Sequence, residues 1–384
     1  MMATAEFPVT AAPAATRPYR VLVCDDQPDV LHALQLLLEG QGYEAVTVDS
    51  PRALLREARS DEFDLILADL NYTRDTTSGE EGLDLLAGLE SQGNSAPVIV
   101  MTAWGSIDLA VEAMRRGACD FVQKPWDNQR VLAAIRKQAD SERRRQSELE
   151  IAATVQQQLF PRAMQKLRTI DYAGRCVAAR GVGGDYYDFL ELGDETLGFV
   201  LADVSGKGVP AALLMANLQA CFRTQASAGV HRPAKLLEAV HRHFYSSTSS
   251  DRFATLFFGS YNDRTRRMRY VNCGHCAPLM LRAGGELARL EPTAAMLGAF
   301  EEWTCAEEEV SLNPGDTLLL YSDGVTEAAN AAGEEFGEDR LVRTLRETTA
   351  QAADDVTGEI VKAVSAFSEA SLGDDITVVA IRGV

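Results

Sequence analysis

From Arg20 to about residue 140, short apolar runs rich in β-branched residues alternate with longer amphipathic runs, and that alternation confines the segment to a parallel α/β sheet. Residues 21–24, 45–48, 65–68, 98–101 and 120–122 read as strands, and helices are predicted to start near Pro28, Pro51, Glu81, Ser106 and Asn128. Such βα units wind doubly around one five-stranded sheet, whose ligand site lies beyond the carboxyl ends of the strands. At those ends stand Asp25 and Asp26, then Asp69, then Thr102, then Lys124 followed by Pro125. Carboxylates gathered at one point repel one another and call for a divalent cation, and oxygen-only ligands favour Mg²⁺. A phosphoryl group would complete the site.

On these residues the segment 19–138 resembles the receiver domain of two-component response regulators. The resemblance implies that Asp69 is the phosphoacceptor, a carboxylate nucleophile that forms an acyl phosphate. It further implies that Asp25, Asp26, Asp69 and the Asn71 carbonyl hold Mg²⁺, that Lys124 pairs with the phosphoryl oxygens, and that Thr102 hydrogen-bonds them. Phe121 matches the aromatic switch position, and the phosphodonor would be a histidine kinase. After Asp69 the family usually runs into Met-Pro; here Asn71 and Tyr72 lead into an enlarged polar loop through Ser78 and Gly79.

The chain has 384 residues, enough for two or three domains at roughly 100–200 residues each. A net charge of −19 repels a phosphate backbone, which argues against nucleic acid as a partner. Seven scattered cysteines make no disulfide framework and suit a reducing cytosol, so the expected location is cytoplasmic. Residues 1–18 are rich in Ala, Pro and Thr and read as a disordered tail, without the basic start and apolar core of a signal peptide. The most apolar later stretch, 209–222, is too short to span a bilayer, so no membrane anchor is expected.

Between Asn128 and Phe160 there is neither Gly nor Pro, and Glu, Arg, Gln and Ala dominate, so one long helix is expected. Residues 139–163 are expected to form a helical linker between two domains. Val131, Ile135, Ala139, Leu149, Ala153 and Leu159 make a seam interrupted near Glu142 and Gln146, which leaves both a coiled-coil homodimer and a solvated spacer open. Arg143, Arg144 and Arg145 are expected on an exposed face.

The remainder carries four acid motifs in order: Gly183-Gly184-Asp185-Tyr186-Tyr187-Asp188, Ala202-Asp203-Val204-Ser205-Gly206-Lys207-Gly208, Tyr321-Ser322-Asp323-Gly324, and Gly373-Asp374-Asp375-Ile376-Thr377. Each acid abuts an apolar strand-like run, and strand-end carboxylates beside glycines can converge on two hard cations. Together with Val155-Gln156-Gln157-Gln158-Leu159-Phe160-Pro161 they resemble the bacterial PPM-type serine phosphatases of the stage II sporulation protein E class. The resemblance runs from about residue 148 and places the phosphatase domain over 164–384, an α/β sandwich of two mainly antiparallel sheets.

It implies two Mn²⁺ or Mg²⁺ ions, with Asp185 on one, Asp203 bridging both with help from the Val204 carbonyl, and Asp323 with Asp374 on the other. Better-known members often carry a His after the bridging Asp-Gly as proton donor. Val204 and Ser205 stand there instead, leaving Lys207 and a metal-bound water as candidates.

The expected function is thus a response regulator whose phosphorylation controls a metal-dependent protein serine/threonine phosphatase. By the same resemblance its substrate would be a phosphoserine protein such as an anti-sigma-factor antagonist. The competing expectation is a non-catalytic adaptor that binds a sigma or anti-sigma factor; loss of the metal aspartates would mark it, and all four are present. Gly183 to Tyr187 superficially resemble a diguanylate cyclase signature, but Tyr186 stands where that signature is acidic. Cys273-Gly274-His275-Cys276 has the spacing of a redox pair, but Pro278 follows directly, which reads as a turn into another strand. His241 and His243 read as surface or core positions on a helix.

Overall fold

The computed structural model describes residues 17–72, 80–94, 96–102, 107–161, 165–227, 232–249, 251–348, 351–368 and 372–384. The expected tail up to residue 16, the loop through Ser78 and Gly79, and the helix start at Ser106 lie outside the described residues. The chain divides after Glu148 into two compact units.

In the first unit β1 (Arg20–Cys24), α1 (Pro28–Glu39), β2 (Glu44–Val48), α2 (Pro51–Ser60), β3 (Leu65–Asp69), α3 (Glu80–Ser91), β4 (Val98–Thr102), α4 (Ile107–Arg115), β5 (Asp120–Gln123) and α5 (Asn128–Gln157) follow in turn. The five strands are parallel in the order β2-β1-β3-β4-β5. Alternation of side chains across the strands splits the core in two. Val21, Val23, Leu65, Leu67, Ile99 and Met101 pack on Leu34 and Leu38 of α1 and on Val131 and Ile135 of α5. Leu22, Ile66, Ala68 and Val100 pack on Leu54 of α2 and Leu83, Leu86 and Leu89 of α3. Coverage on both faces explains why these strands are apolar throughout.

The expected exposed face at Arg143 is corrected by the structure. Val131, Ile135 and Ala139 are buried at steps of four, and Arg143 is the next step of that stripe. Its Nε lies 2.9 Å from Oδ1 of Asp64, and its guanidinium sits 3.6 Å from the Tyr19 ring centroid. Asp64 is 2% exposed, so losing this charged hydrogen bond would cost about 1.5 to 3 kcal/mol. Glu142 is also buried, with Arg145 donating to it.

The second unit comprises β6 (Ile170–Val177), β7 (Tyr186–Gly193), β8 (Thr196–Val204), α6 (Val209–Ser227), α7 (Pro233–Ser247), β9 (Ala254–Asn262), β10 (Arg267–Cys273), β11 (Leu279–Leu281), β12 (Leu287–Arg289), β13 (Glu308–Ser311), β14 (Thr317–Tyr321), α8 (Asp323–Thr326), α9 (Gly337–Glu347), α10 (Ala353–Phe367) and β15 (Ile376–Gly383). They form two sheets, β13-β10-β9-β8-β7 and β12-β11-β14-β15-β6, and the strand pairs are antiparallel.

Leu197, Phe199 and Leu201 of β8 meet Leu318 and Leu320 of β14 and Val379 and Ile381 of β15 in a core between the sheets. The opposite faces are covered by helices. Val200, Ala202 and Val204 pack under α6 and α7, and Leu319, Val378 and Ala380 pack under α9 and α10. The layers are helix, sheet, sheet, helix, as the sandwich expectation has it. Turns at one end of the two sheets carry the acid motifs.

Candidate functional site

In a parallel sheet every strand ends at the same edge, and β1, β3, β4 and β5 bring Asp25, Asp69, Thr102 and Lys124 to it. One carboxylate oxygen from each of Asp25, Asp26 and Asp69 lies within 4.8 Å of the others. Lys124 Nζ is 2.6 Å from Asp25 Oδ2 and 2.9 Å from Asp69 Oδ2. Asp25 and Asp69 are buried, and Asp69 Oδ1 is buried without a hydrogen-bond partner. Burial pushes the Asp69 carboxyl up, and the hydrogen bond from Lys124 and the Asn71 amide opposes that. Thr102 is buried, its carbonyl accepting from the Lys124 amide, and Phe121 is exposed.

An orphaned acid oxygen beside two more carboxylates, with the Lys124 ammonium set against them, is a donor set that fits Mg²⁺. Tyr72, which the sequence reads as the entry to a polar loop, is corrected by the structure. It turns inward, 4% exposed, and its hydroxyl donates to Cys24 Sγ at 3.2 Å, so the segment after Asp69 begins as core.

In the second unit, Asp185 immediately precedes β7 and Asp203 ends β8, and the pairing of Tyr186 with Ala202 places them side by side. Asp203 shares the alternation of Leu197, Phe199 and Leu201, so it lies on the inner face at the rim. From the other sheet, Asp323 follows β14 and Asp374 and Asp375 precede β15, strands joined through Tyr321 and Val378. Among the described residues no three of these acids converge within 4.8 Å as the first unit's acids do.

They nonetheless feel one another. Burial, then Asp323, Asp374 and Asp375, raise the Asp203 carboxyl to about 7, with Lys207 opposing. Burial and Asp203 push Asp185 well above the usual carboxylate range. Burial and Asp374 raise Asp323. Asp185 Oδ2 is buried with no hydrogen-bond partner, although the Thr377 and Ser322 hydroxyls are near enough to hold its pKa down somewhat. An orphaned carboxylate oxygen within a group of mutually repelling acids fits hard divalent cations.

The glycines are required by close approach. A Cβ on Gly183 would stand 1.7 Å from Asp375 Oδ2, and one on Gly184 2.6 Å from the Val204 carbonyl oxygen. Asp375 accepts from the amides of Ala179 and Gly184, both at 2.9 Å, which ties the turn bearing Asp185 to the other sheet. Gln156, in the last turn of α5, grips the same turn. Its Nε2 donates to the Gly183 carbonyl at 2.8 Å, and its Oε1 accepts from the Gly183 amide at 3.2 Å. Breaking that clamp would leave two buried backbone groups unsatisfied, at about 1 to 3 kcal/mol each.

Lys207 Nζ lies 2.8 Å from both Asp374 Oδ2 and the Gly373 carbonyl. Arg180, a residue the sequence did not single out, lines a narrow cleft with Lys207, Gly208, Asp374 and Asp375. His241 is buried on α7 against Trp303, and His243 is exposed on the same helix, both outside the acid group.

The raised carboxyls set a sign for stability. Asp203 keeps its proton in the fold from its ordinary 3.8 up to about 7, whereas the unfolded chain releases it. The folded state therefore binds more protons across that window, and stability falls as pH rises through it. The thermal midpoint of the chain in EDTA should drop between about pH 4 and pH 7, and saturating Mn²⁺ should flatten the profile. A flat profile in EDTA would show that the acids are not held against one another.

A parallel sheet with acids and a lysine at its carboxyl edge, followed by a two-sheet sandwich with acids at one end, defines a response-regulator receiver joined to a PPM-type phosphatase fold. The family comparisons agree: residues 21–136 match the response regulator receiver domain, and residues 193–383 match the stage II sporulation protein E (SpoIIE) domain. The chain carries both domains. It is 29% identical over 237 residues to the phosphoserine phosphatase RsbU of Bacillus subtilis (strain 168), covering 62% of this chain and 70% of that one.

Among solved structures, the RsbU and RsbW domains of Rv1364c from Mycobacterium tuberculosis align with a TM-score of 0.50 and 28% identity, over 56% of this chain and 60% of that chain. The chain thus spans less than two thirds of that structure. The SiaA-PP2C domain of Pseudomonas aeruginosa shares the fold with a TM-score of 0.56 and 22% identity, over 64% of this chain and 98% of that one. No helix among the described residues is long and apolar enough to cross a membrane.

Proposed function

We propose that the chain is a protein phosphatase under receiver control, hydrolysing phosphoserine or phosphothreonine on a partner protein of the anti-sigma-factor antagonist kind. The observation that carries this reading is the gathering of Asp185, Asp203, Asp323 and Asp374 from two sheets at one rim, with Asp185 Oδ2 orphaned. Asp185, Asp203 and the Val204 carbonyl would hold one ion, and Asp203, Asp323 and Asp374 the other, as Mn²⁺ or Mg²⁺. Bound there, such a pair supplies an activated water and neutralises the phosphoryl oxygens. Arg180, which lines the cleft with Lys207 and Asp374, would meet the substrate phosphate, and a guanidinium suits it by offering paired N–H groups. Lys207 spends two of its three donors on Asp374 and Gly373, which leaves one for a substrate oxygen.

In the receiver, Asp69 Oδ1 is the free nucleophilic oxygen, while Oδ2 is held by Lys124. Attack on a phosphohistidine breaks its P–N bond and forms the P–O bond of the acyl phosphate, and Lys124 and Thr102 then take the new phosphoryl oxygens. Asp25, Asp26, Asp69 and the Asn71 carbonyl would hold the Mg²⁺ that offsets the charge. The chain passes from one unit to the other within α5, whose last turn holds the Asp185 turn through Gln156. That clamp supports α5 as the route of control.

Two measurements test the proposal. Mn²⁺-dependent release of phosphate from a phosphoserine antagonist should change when beryllofluoride is added. An insertion of two residues near Gln146, which rotates the helix by about 200° at 100° per residue, should erase that change yet leave Asp69 labelling and basal turnover intact. Metal-dependent turnover absent under every condition would favour an adaptor, and an unchanged response in the insertion variant would exclude a phase-locked helix.

A further inference from the structure

The segment Cys273-Gly274-His275-Cys276 takes no part in the chemistry above, yet it lies where the two sheets of the second unit are joined. β10 ends at Cys273 in the sheet of Asp203, and β11 begins at Leu279 in the sheet of Asp323. His275 is in the crossing between them and is 4% exposed. Its amide donates to Asn272 Oδ1 at 2.8 Å, and Asn272 is itself buried and donates from Nδ2 to the Leu290 carbonyl at 3.0 Å. Gly274, at φ +65°, allows the bend. The ring therefore has a fixed origin.

One ring nitrogen ties His275 to the sheet of Asp203. Nδ1 is 2.9 Å from Thr255 Oγ1, and Thr255 is the cross-strand partner of Asp203 in the pairing of β8 with β9. Partners in an antiparallel pair project to the same face. Nε2 is buried with no completed hydrogen bond, and the backbone of Tyr321, two residues before Asp323, bears on the ring. The antiparallel pairing of Leu279 with Leu319 carries this crossing past the end of β14, and the Cys276 thiol is pushed up to about 12 by burial and by the charges of Asp323, Glu327 and Asp203. Burial also pushes the His275 imidazole down to about 4, so it stays neutral at ordinary pH and is no source of a proton for a leaving serine.

We propose that His275 is a positioning residue that fixes the separation of Asp203 and Asp323, by spanning from Thr255 beside the one to the end of β14 below the other. Two carboxylates from different sheets share no backbone hydrogen bonds, so their spacing rests on whatever side chain bridges the sheets near them. A buried neutral imidazole brings no cation that would compete with a metal ion for these acids. The inference rests on the reading of these acids as a metal site.

The experiment is Mn²⁺ calorimetry on the full chain, with the thermal midpoint in EDTA measured alongside. Thr255→Val keeps the shape and removes only the hydroxyl, and it should weaken Mn²⁺ binding about tenfold, the loss usual for a group that orients a ligand from behind. His275→Leu should lose at least as much, and His275→Asn, which keeps an acceptor near the Nδ1 position, should recover part of it. The double variant Thr255→Val/His275→Leu should be no worse than His275→Leu, because both changes remove the same bond. Should His275→Leu fail to fold, Thr255→Val and His275→Asn still decide the matter. Wild-type affinity in Thr255→Val, or additive losses that track the midpoint in EDTA, would overturn the proposal. A wild-type chain that binds no Mn²⁺ at the second unit would remove the metal reading, and this inference with it.

Discussion

Asp203→Asn is expected to abolish Mn²⁺-dependent hydrolysis of a phosphoserine substrate while leaving the fold at least as stable as before. The carboxylate is shared between the two proposed ion positions, so its loss affects both. The fall in turnover should exceed about 10³-fold, the upper cost of removing a single preorganised electrostatic group from a catalytic site. Stability should move the other way. Burial and the charges of Asp323, Asp374 and Asp375 raise the Asp203 carboxyl to about 7, so its ionised form is a burden on the metal-free fold. An amide of nearly the same shape removes that burden, and the thermal midpoint in EDTA at neutral pH should be unchanged or higher. Retained turnover in Asp203→Asn would refute the two-ion assignment, and a lowered midpoint would place Asp203 among the structural residues.

Asp69→Asn is expected to eliminate labelling by a small phosphodonor such as acetyl phosphate. An amide is not a nucleophile toward phosphorus, whereas the orphaned Oδ1 of the buried carboxylate is. The substitution keeps an oxygen for Lys124, which lies 2.9 Å from Asp69 Oδ2, so the sheet edge should stay intact. Phosphatase turnover in this variant should be fixed at the level of the unphosphorylated chain and indifferent to the donor. Labelling that persisted would move the acceptor to another residue, with Asp25 and Asp26 the nearest alternatives.

Much of this was readable from residue order because both sites are built at strand ends. The spacing of apolar runs gives strand from helix, the last polar residue of each run names a potential ligand, and a parallel sheet puts such residues on one edge whatever its strand order. The enlarged loop after Asp69 was less readable. Polar neighbours suggested solvent, yet Tyr72 is drawn into the core because a buried thiol, Cys24, waits on β1. Arg143 was misread for a similar reason: its neighbours Arg144 and Arg145 look like a charged surface, but it continues the buried stripe of α5 onto Asp64.

Local periodicity and motifs of a few residues fixed the kinds of element, the two domain families and the candidate acids at the strand ends. Which side chains stand behind those acids depends instead on contacts between distant parts of the chain. Gln156 on the Gly183 turn, Asp375 on the amides of Ala179 and Gly184, Arg180 in the cleft and His275 between the sheets are all set by which strands neighbour which. The physical reason is separation along the chain. Asp375 and Gly184 are 191 residues apart, and no local preference reports a partner at that distance. Pairing of β15 with β6 and of β7 with β8, driven by burial of the core between the sheets, is what brings them within reach.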